Sequence, residues 1–125
     1  NMTGTGTNQL GGPLEVTGEI KAIGSDIIAF ASSDENLKDN ITIIPNALDK
    51  VKAISGNTFT WKHTSKVALP GMDDTGVIAQ QVEALGLPGI TTTRPDGTKA
   101  VRYERLVPVL IEAIKELSAK VDALS

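Results

Sequence analysis

From Leu14 the chain alternates. Leu14, Val16, Gly18, Ile20 and Ala22 are interleaved with Glu15, Thr17, Glu19 and Lys21, the period of two that marks a half-buried strand. Gly24-Ser25-Asp26 is a turn signal, and Ile27–Phe30 is a second short apolar run. Two short strands are marginal on their own, so the pattern predicts that their apolar face meets copies of itself in other chains. Ser32 stands three residues before Glu35, the spacing of a capping box, and a short turn or helix is expected there. Ile41, Ile43 and Ile44 run up to Pro45. Asn46 is the expected N-cap of a helix reaching Gly56, with Leu48, Val51 and Ile54 on one face. Thr58–Lys62 alternates as a strand. Residues 63–75 read as a loop, Val77–Leu85 as a helix stopped by Gly86 and Pro88. Ile90–Thr93 and Lys99–Tyr103 read as a β-hairpin around Pro95-Asp96-Gly97.

The last segment has the longest period. Tyr103, Val107, Leu110, Ile114, Leu117, Val121 and Leu124 are spaced four and three in turn, the seam of a coiled coil over a helix of about 104–124. Pro108 must lie near its first turn. Glu116 and Lys120 are placed as an i,i+4 pair. The same seam would also suit a helix that only packs on its own domain.

Length and composition narrow the rest. The 125 residues make about one domain. The net charge of −3 argues against a nucleic-acid partner. No apolar run is long enough to span a membrane, and the first residues do not have the form of a secretory signal. With no cysteine there are no disulfides, thiolate metal sites or cysteine nucleophiles. His63 is the only histidine, and the aromatics are Phe30, Phe59, Trp61 and Tyr103 alone, a thin set that hints at oligomerisation. Residues 1–13 have linker composition and look like a cut inside a longer protein. The fold class expected is α+β: short N-terminal strands, a small mixed domain and a coiled-coil-like C-terminal helix.

Several blocks then agree with one family. Ser33-Asp34-Glu35-Asn36-Leu37-Lys38-Asp39-Asn40-Ile41 resembles the S-D-x-x-L-K-x-N-I opening of the peptidase S74 family, the C-terminal intramolecular chaperone domains of phage tail spikes and tail fibres. Leu48, Val51, Ile54, Gly56, Phe59 and Trp61 follow in step. Gly76-Val77-Ile78-Ala79-Gln80-Gln81-Val82 is similar to G-V-I-A-Q-E-V, with Gln81 where many members have Glu. Gly97, Val101, Tyr103 and Leu106 come next, and Leu110–Leu117 is similar to L-I-E-A-I-K-E-L. The likeness covers residues 33 to about 120.

The resemblance implies a job. Such domains form an intertwined homotrimer, align an upstream β-rich stalk of the same chain for folding, and then cut themselves off. On this likeness residues 1–32 are linker and stalk end, and 33–125 the chaperone. It places a Ser-Lys dyad on Ser33 as nucleophile and Lys38 as general base, making the domain a single-turnover self-cleaving serine endopeptidase. The scissile bond is Ser33-Asp34, with Ser32-Ser33 as the alternative. The trimer seam falls on Leu110, Ile114, Leu117, Val121 and Leu124. No cofactor or metal is implied, and the setting is a virion precursor in the host-cell cytoplasm.

The chemistry is coherent. A serine hydroxyl needs an adjacent base. Lysine serves as one only when neutral, and bringing its ordinary pKa of about 10.4 near 7 takes roughly 4 kcal/mol of differential stabilisation. Burial supplies that, with Leu37 and Ile41 as candidate walls, so trimer assembly is a candidate gate. Five residues apart, Ser33 and Lys38 do not share a face of one regular helix. They need a turn between them or come from two chains. A serine cannot readily attack its own carbonyl, so a cut at Ser33-Asp34 favours a neighbouring chain's serine. Asp34 beside Lys38 would hold the proton on the amine, so its expected role is positional. His63 reads as a strand-end surface residue, Asp73-Asp74 as a solvated loop far short of a calcium site, and Phe59 with Trp61 as core rather than a sugar platform. Two other functions compete: a trimeric cap that stays attached, and a receptor-binding tip using the 63–75 loop.

Overall fold

A computed structural model describes residues 6–67 and 69–125. The chain divides into two units, Asn1–Asp34 and Glu35–Ser125.

In the first unit, residues 6–34 contain no helix or strand, and all are exposed. The strands expected over Leu14–Ala22 and Ile27–Phe30 are therefore not formed within the chain. A strand exists through its ladder partner, and a lone short hairpin does not offset the entropy of ordering it. The apolar side chains stay in solvent, up to 96% exposure at Phe30.

The second unit is α+β. A 3₁₀ turn, Glu35–Leu37, comes first, then α1 (Ala47–Lys52), β1 (Asn57–Thr60), β2 (Asp73–Gly76), α2 (Ala79–Glu83), β3 (Thr91–Thr93) and β4 (Lys99–Val101). A second 3₁₀ turn, Tyr103–Leu106, leads into α3 (Val107–Ala123). Both sheets are two-stranded antiparallel hairpins, with Asn57 opposite Gly76 in β1–β2 and Thr91 opposite Val101 in β3–β4. The predicted Pro95-Asp96-Gly97 turn is present: Gly97 takes φ +87°. Asp96 accepts bonds from the Thr98 hydroxyl and N–H at 2.6 and 2.9 Å, which hold its carboxyl below the ordinary range.

Helix α3 lies on α1. The buried core is small: Ala47, Val82, Ile90, Leu106, Val109 and Ala113, with Ile44, Leu48, Val51, Ile54, Val77, Leu87 and Val101 packed around it. Leu48, Val51 and Ile54 thus face inward as their spacing predicts. Helix α1 is shorter than expected, because Gln81 Oε1 accepts the Ser55 N–H at 2.9 Å and the Ser55 hydroxyl at 3.0 Å, drawing the chain out of the helix. That role needs only an acceptor oxygen, which Gln and Glu both have.

Strand β2 takes Asp73–Thr75 out of the expected loop. Gly71 turns the chain at φ +78°, and Trp61 exchanges backbone bonds with Gly71 and Met72 at 2.8 and 2.9 Å. Asp73 then accepts from the Thr60 hydroxyl at 2.6 Å and Asp74 from the Trp61 indole N–H at 3.1 Å. Helix α2 starts at Ala79 rather than Val77, because the backbone is still extended at Ile78, φ −100° and ψ 116°; the Val77 N–H is donated to the Tyr103 hydroxyl at 3.0 Å. A Cβ on Gly76 would collide with that hydroxyl, so any other residue there would have to displace the tip of the Tyr103 side chain.

Candidate functional site

Ser33 falls at the end of the first unit and Lys38 in the second. Each is described by itself. Ser33 lies in irregular, exposed chain. Lys38 follows the first 3₁₀ turn, its N–H bonded to the Glu35 carbonyl at 3.1 Å, so the turn expected after Ser32 is present. The side chains expected to wall off Lys38 are exposed, Leu37 at 74% and Ile41 at 65%, and Ile43 at 73% is equally open. A single chain leaves these apolar walls in solvent.

Downstream of Lys38 the backbone is held tightly. Asn40 and Asn46 both adopt the left-handed conformation, φ 55° and 52°, which asparagine tolerates better than most residues. They bracket a strap, residues 41–45. Ile44 packs against the core, and Lys50 Nζ donates to the Pro45 carbonyl at 2.7 Å. Asn46 holds the N-cap position of α1 but makes no side-chain cap bond. Its place is taken from across the domain. Glu116 of α3 accepts the Ala47 N–H at 2.7 Å and the Leu48 N–H at 3.2 Å. A carboxylate there satisfies two orphan amides and complements the helix dipole. Sequence spacing pointed Glu116 at Lys120 instead; the local pair is outcompeted by two partly buried amides. No linear motif signals a cap 68 and 69 residues away.

Helix α3 shows two faces. Leu106, Val109 and Ala113 are buried and Glu116 reaches α1. The expected seam lies on an adjacent stripe that the chain leaves open, with Leu110, Ile114, Leu117, Val121 and Leu124 exposed by 44 to 88%. The first two expected members differ. Tyr103 is in the 3₁₀ turn, its hydroxyl committed to Val77, and Val107 only opens the helix. Pro108 sits in the first turn, where its missing N–H costs nothing. Both the packing on its own domain and the open stripe are thus present, on different faces.

The remaining candidates have structural roles. The His63 ring is exposed and rests over Gly71, within 2.5 Å of where a Cβ would stand. The Asp74 carboxyl is held below its ordinary value by the Thr75 N–H and then by Trp61. Phe59 and Trp61 meet edge to face, centroids 4.9 Å apart. With Val77, Ile78, Val101 and Tyr103 they line a pocket of about 560 Å³. Among the described residues no group of acids and histidines could hold a metal ion, and no helix is long and apolar enough to cross a membrane.

An α+β domain that leaves an apolar helix stripe and an apolar leader open has the features of an assembly domain. Comparison with known families agrees: residues 33–91 match the peptidase S74 family, described as the chaperone of endosialidase. No curated protein matches the chain. The family's description supports an intramolecular chaperone in a phage tail setting, and its name points to self-cleaving peptidase activity.

Proposed function

We propose that residues 33–125 are an intramolecular chaperone that trimerises through the open stripe of α3, aligns the upstream segment of three chains, and then frees itself by cleavage beside Ser33. The observation that carries this reading is the two-faced helix. Val109 and Ala113 already satisfy the domain's own core, and the apolar stripe from Leu110 to Leu124 is left uncovered by the described residues, open to a neighbouring chain. The exposed alternation of Leu14, Val16 and Ile20 supports the same picture, since strands with no partner in their own chain pair between chains. The processing occurs on a virion precursor in the host-cell cytoplasm.

In the proposed reaction Ser33 Oγ attacks the scissile carbonyl carbon as Lys38 Nζ takes its proton. The collapsing tetrahedral intermediate breaks the C–N bond, and the lysine returns the proton to the leaving amine. Water then hydrolyses the ester, restoring the hydroxyl and leaving a carboxyl terminus. At Ser32-Ser33 the attack closes a five-membered ring within one chain. At Ser33-Asp34 it would close a strained four-membered ring, so that bond calls for the serine of a neighbouring chain. Lys38 becomes a base only when Leu37, Ile41 and Ile43 are covered, because desolvation disfavours the ammonium. Assembly supplies the cover, so cutting follows trimerisation.

The test is intact mass and denaturing electrophoresis of wild type and Ser33→Ala, both carrying enough upstream fibre to resolve two products. Cleavage in wild type alone supports the dyad, and the masses identify the bond. Chains that trimerise while both stay whole would make the domain a permanent cap and refute self-release. Monomeric wild type at working concentration, or a diluted monomeric precursor cut at the undiluted rate, would refute the gate.

A further inference from the structure

We propose that Glu116 is a positioning residue for the reaction at Lys38, holding in place the strap that carries the base toward α1. The proposal rests on the self-cleavage reading above and adds a residue to it. The strap leaves Lys38, turns at Asn40, and ends at Asn46 and Ala47. Its far end has a single long-range polar anchor among its described bonds: the paired acceptance by Glu116 of the Ala47 and Leu48 amides. Local chemistry does not substitute for it, because Asn46 in the left-handed conformation makes no cap bond. Ala47 is wholly buried, so an amide there without its partner would have no access to water.

The same helix carries the open stripe of Ile114 and Leu117 on its other face, while Glu116 lies on the face turned to α1. Glu116 therefore joins the assembly face of α3 to the strap behind the base. When neighbouring chains fix α3, its carboxylate fixes the start of α1, and with it the end of the strap. The coupling runs through one rigid helix and two hydrogen bonds. Misplacing a reacting group by an ångström costs on the order of a hundredfold in rate, so a loosened strap is read out as slower cutting.

The experiment uses the full chain with upstream fibre and compares Glu116→Gln, Glu116→Asp and, as a control on the same helix, Lys120→Ala. Gln keeps the reach and one acceptor oxygen. Asp keeps the charge and falls one methylene short of the two amides. The expected result is cleavage within about threefold of wild type for Lys120→Ala, and slower cleavage for both Glu116 variants, about ten- to a hundredfold for Asp and less for Gln, which keeps one of the two bonds. All chains should be trimeric, and the temperature is kept well below every melting transition. Hydrogen exchange at Ala47 and Leu48 should be faster in the Glu116 variants and unchanged in Lys120→Ala. The proposal is overturned if Asp cleaves at the wild-type rate, or if Lys120→Ala is as slow as Asp while both remain folded and trimeric. Wild type that never cleaves removes the self-cleavage reading and this inference together, whereas cleaving wild type with an equally fast Asp variant removes only this one.

Discussion

Replacing Ile114 by Asp separates the two faces of α3. Ile114 is 66% exposed in the single chain. Full burial of an isoleucine is worth about 1.5–3 kcal/mol, so the two thirds still available amount to about 1–2 kcal/mol per chain. Three chains give about 3–6 kcal/mol, a hundred- to ten-thousandfold weaker association, as each 1.4 kcal/mol is about tenfold. The cost of placing a carboxylate in an apolar seam adds to this. The fold of the chain should not suffer, because Val109 and Ala113, not Ile114, meet the core. Val109→Ala is the converse. It empties a site 1% exposed and should cost about 2 kcal/mol of domain stability. Sedimentation velocity over a dilution series reads the first effect, and melting followed by circular dichroism reads the second. Ile114→Asp that trimerises at wild-type concentrations, or that loses helix content as Val109→Ala does, would show that the stripe is not the assembly face.

Three more outcomes follow from particular contacts. Lys38→Arg should remain trimeric and stay uncut on the same mass assay, because a guanidinium holds its proton at any workable pH; cleavage at the wild-type rate would exclude a base at this position. Gly76→Ala should lower the melting temperature by its collision with the Tyr103 hydroxyl, and should be partly rescued in a Tyr103→Phe background; equal losses in both backgrounds would remove the collision as the cause. The third concerns pH. With its folded carboxyl held below the ordinary 3.8, Asp74 stabilises the hairpin above that value, and the contribution fades as pH falls through the lower folded value. Trp61 is the only tryptophan and donates to this carboxylate, so its fluorescence should change in acid with a midpoint below the ordinary aspartate value. A transition that survives Asp74→Asn would assign the change to another group.

What the sequence revealed depended on whether the cause was local. The hairpin around Pro95-Asp96-Gly97 is written in its own turn residues, and the inward face of α1 in the spacing of Leu48, Val51 and Ile54. Strand β2 was hidden because Asp73-Asp74-Thr75-Gly76 has poor strand propensity; its pairing comes from Thr60 and Trp61 reaching across to the aspartates. Asn46 does hold the N-cap position of α1, but in the left-handed conformation its side chain makes no cap bond, and the distant Glu116 takes that role. Residues 14–22 alternate in sequence, but among the described residues no second strand pairs with them. On α3, the heptad picked out the open stripe and passed over Leu106, Val109 and Ala113, because two apolar faces share one short helix and the longer repeat dominates the pattern. For the candidate dyad, the motif at Ser33 and Lys38 was legible, while the anchoring of its strap by Glu116 was not.

The core joining α1 to α3 has an alanine on each side, Ala47 at 0% exposure and Ala113 at 4%. Alanine loses no rotamer freedom on burial, so this contact is set by the approach of two backbones rather than by a choice of side-chain conformations. Its tolerance to substitution is accordingly one-sided. Elsewhere in a core, the damaging change removes atoms, and neighbours relax into the gap. Here there is almost nothing to remove, and every larger residue must push the helices apart, drawing Glu116 off the amides it holds. A saturation scan should therefore find these two positions restricted to alanine and its smallest neighbours, glycine and serine, while Leu48 and Val51 accept other aliphatics.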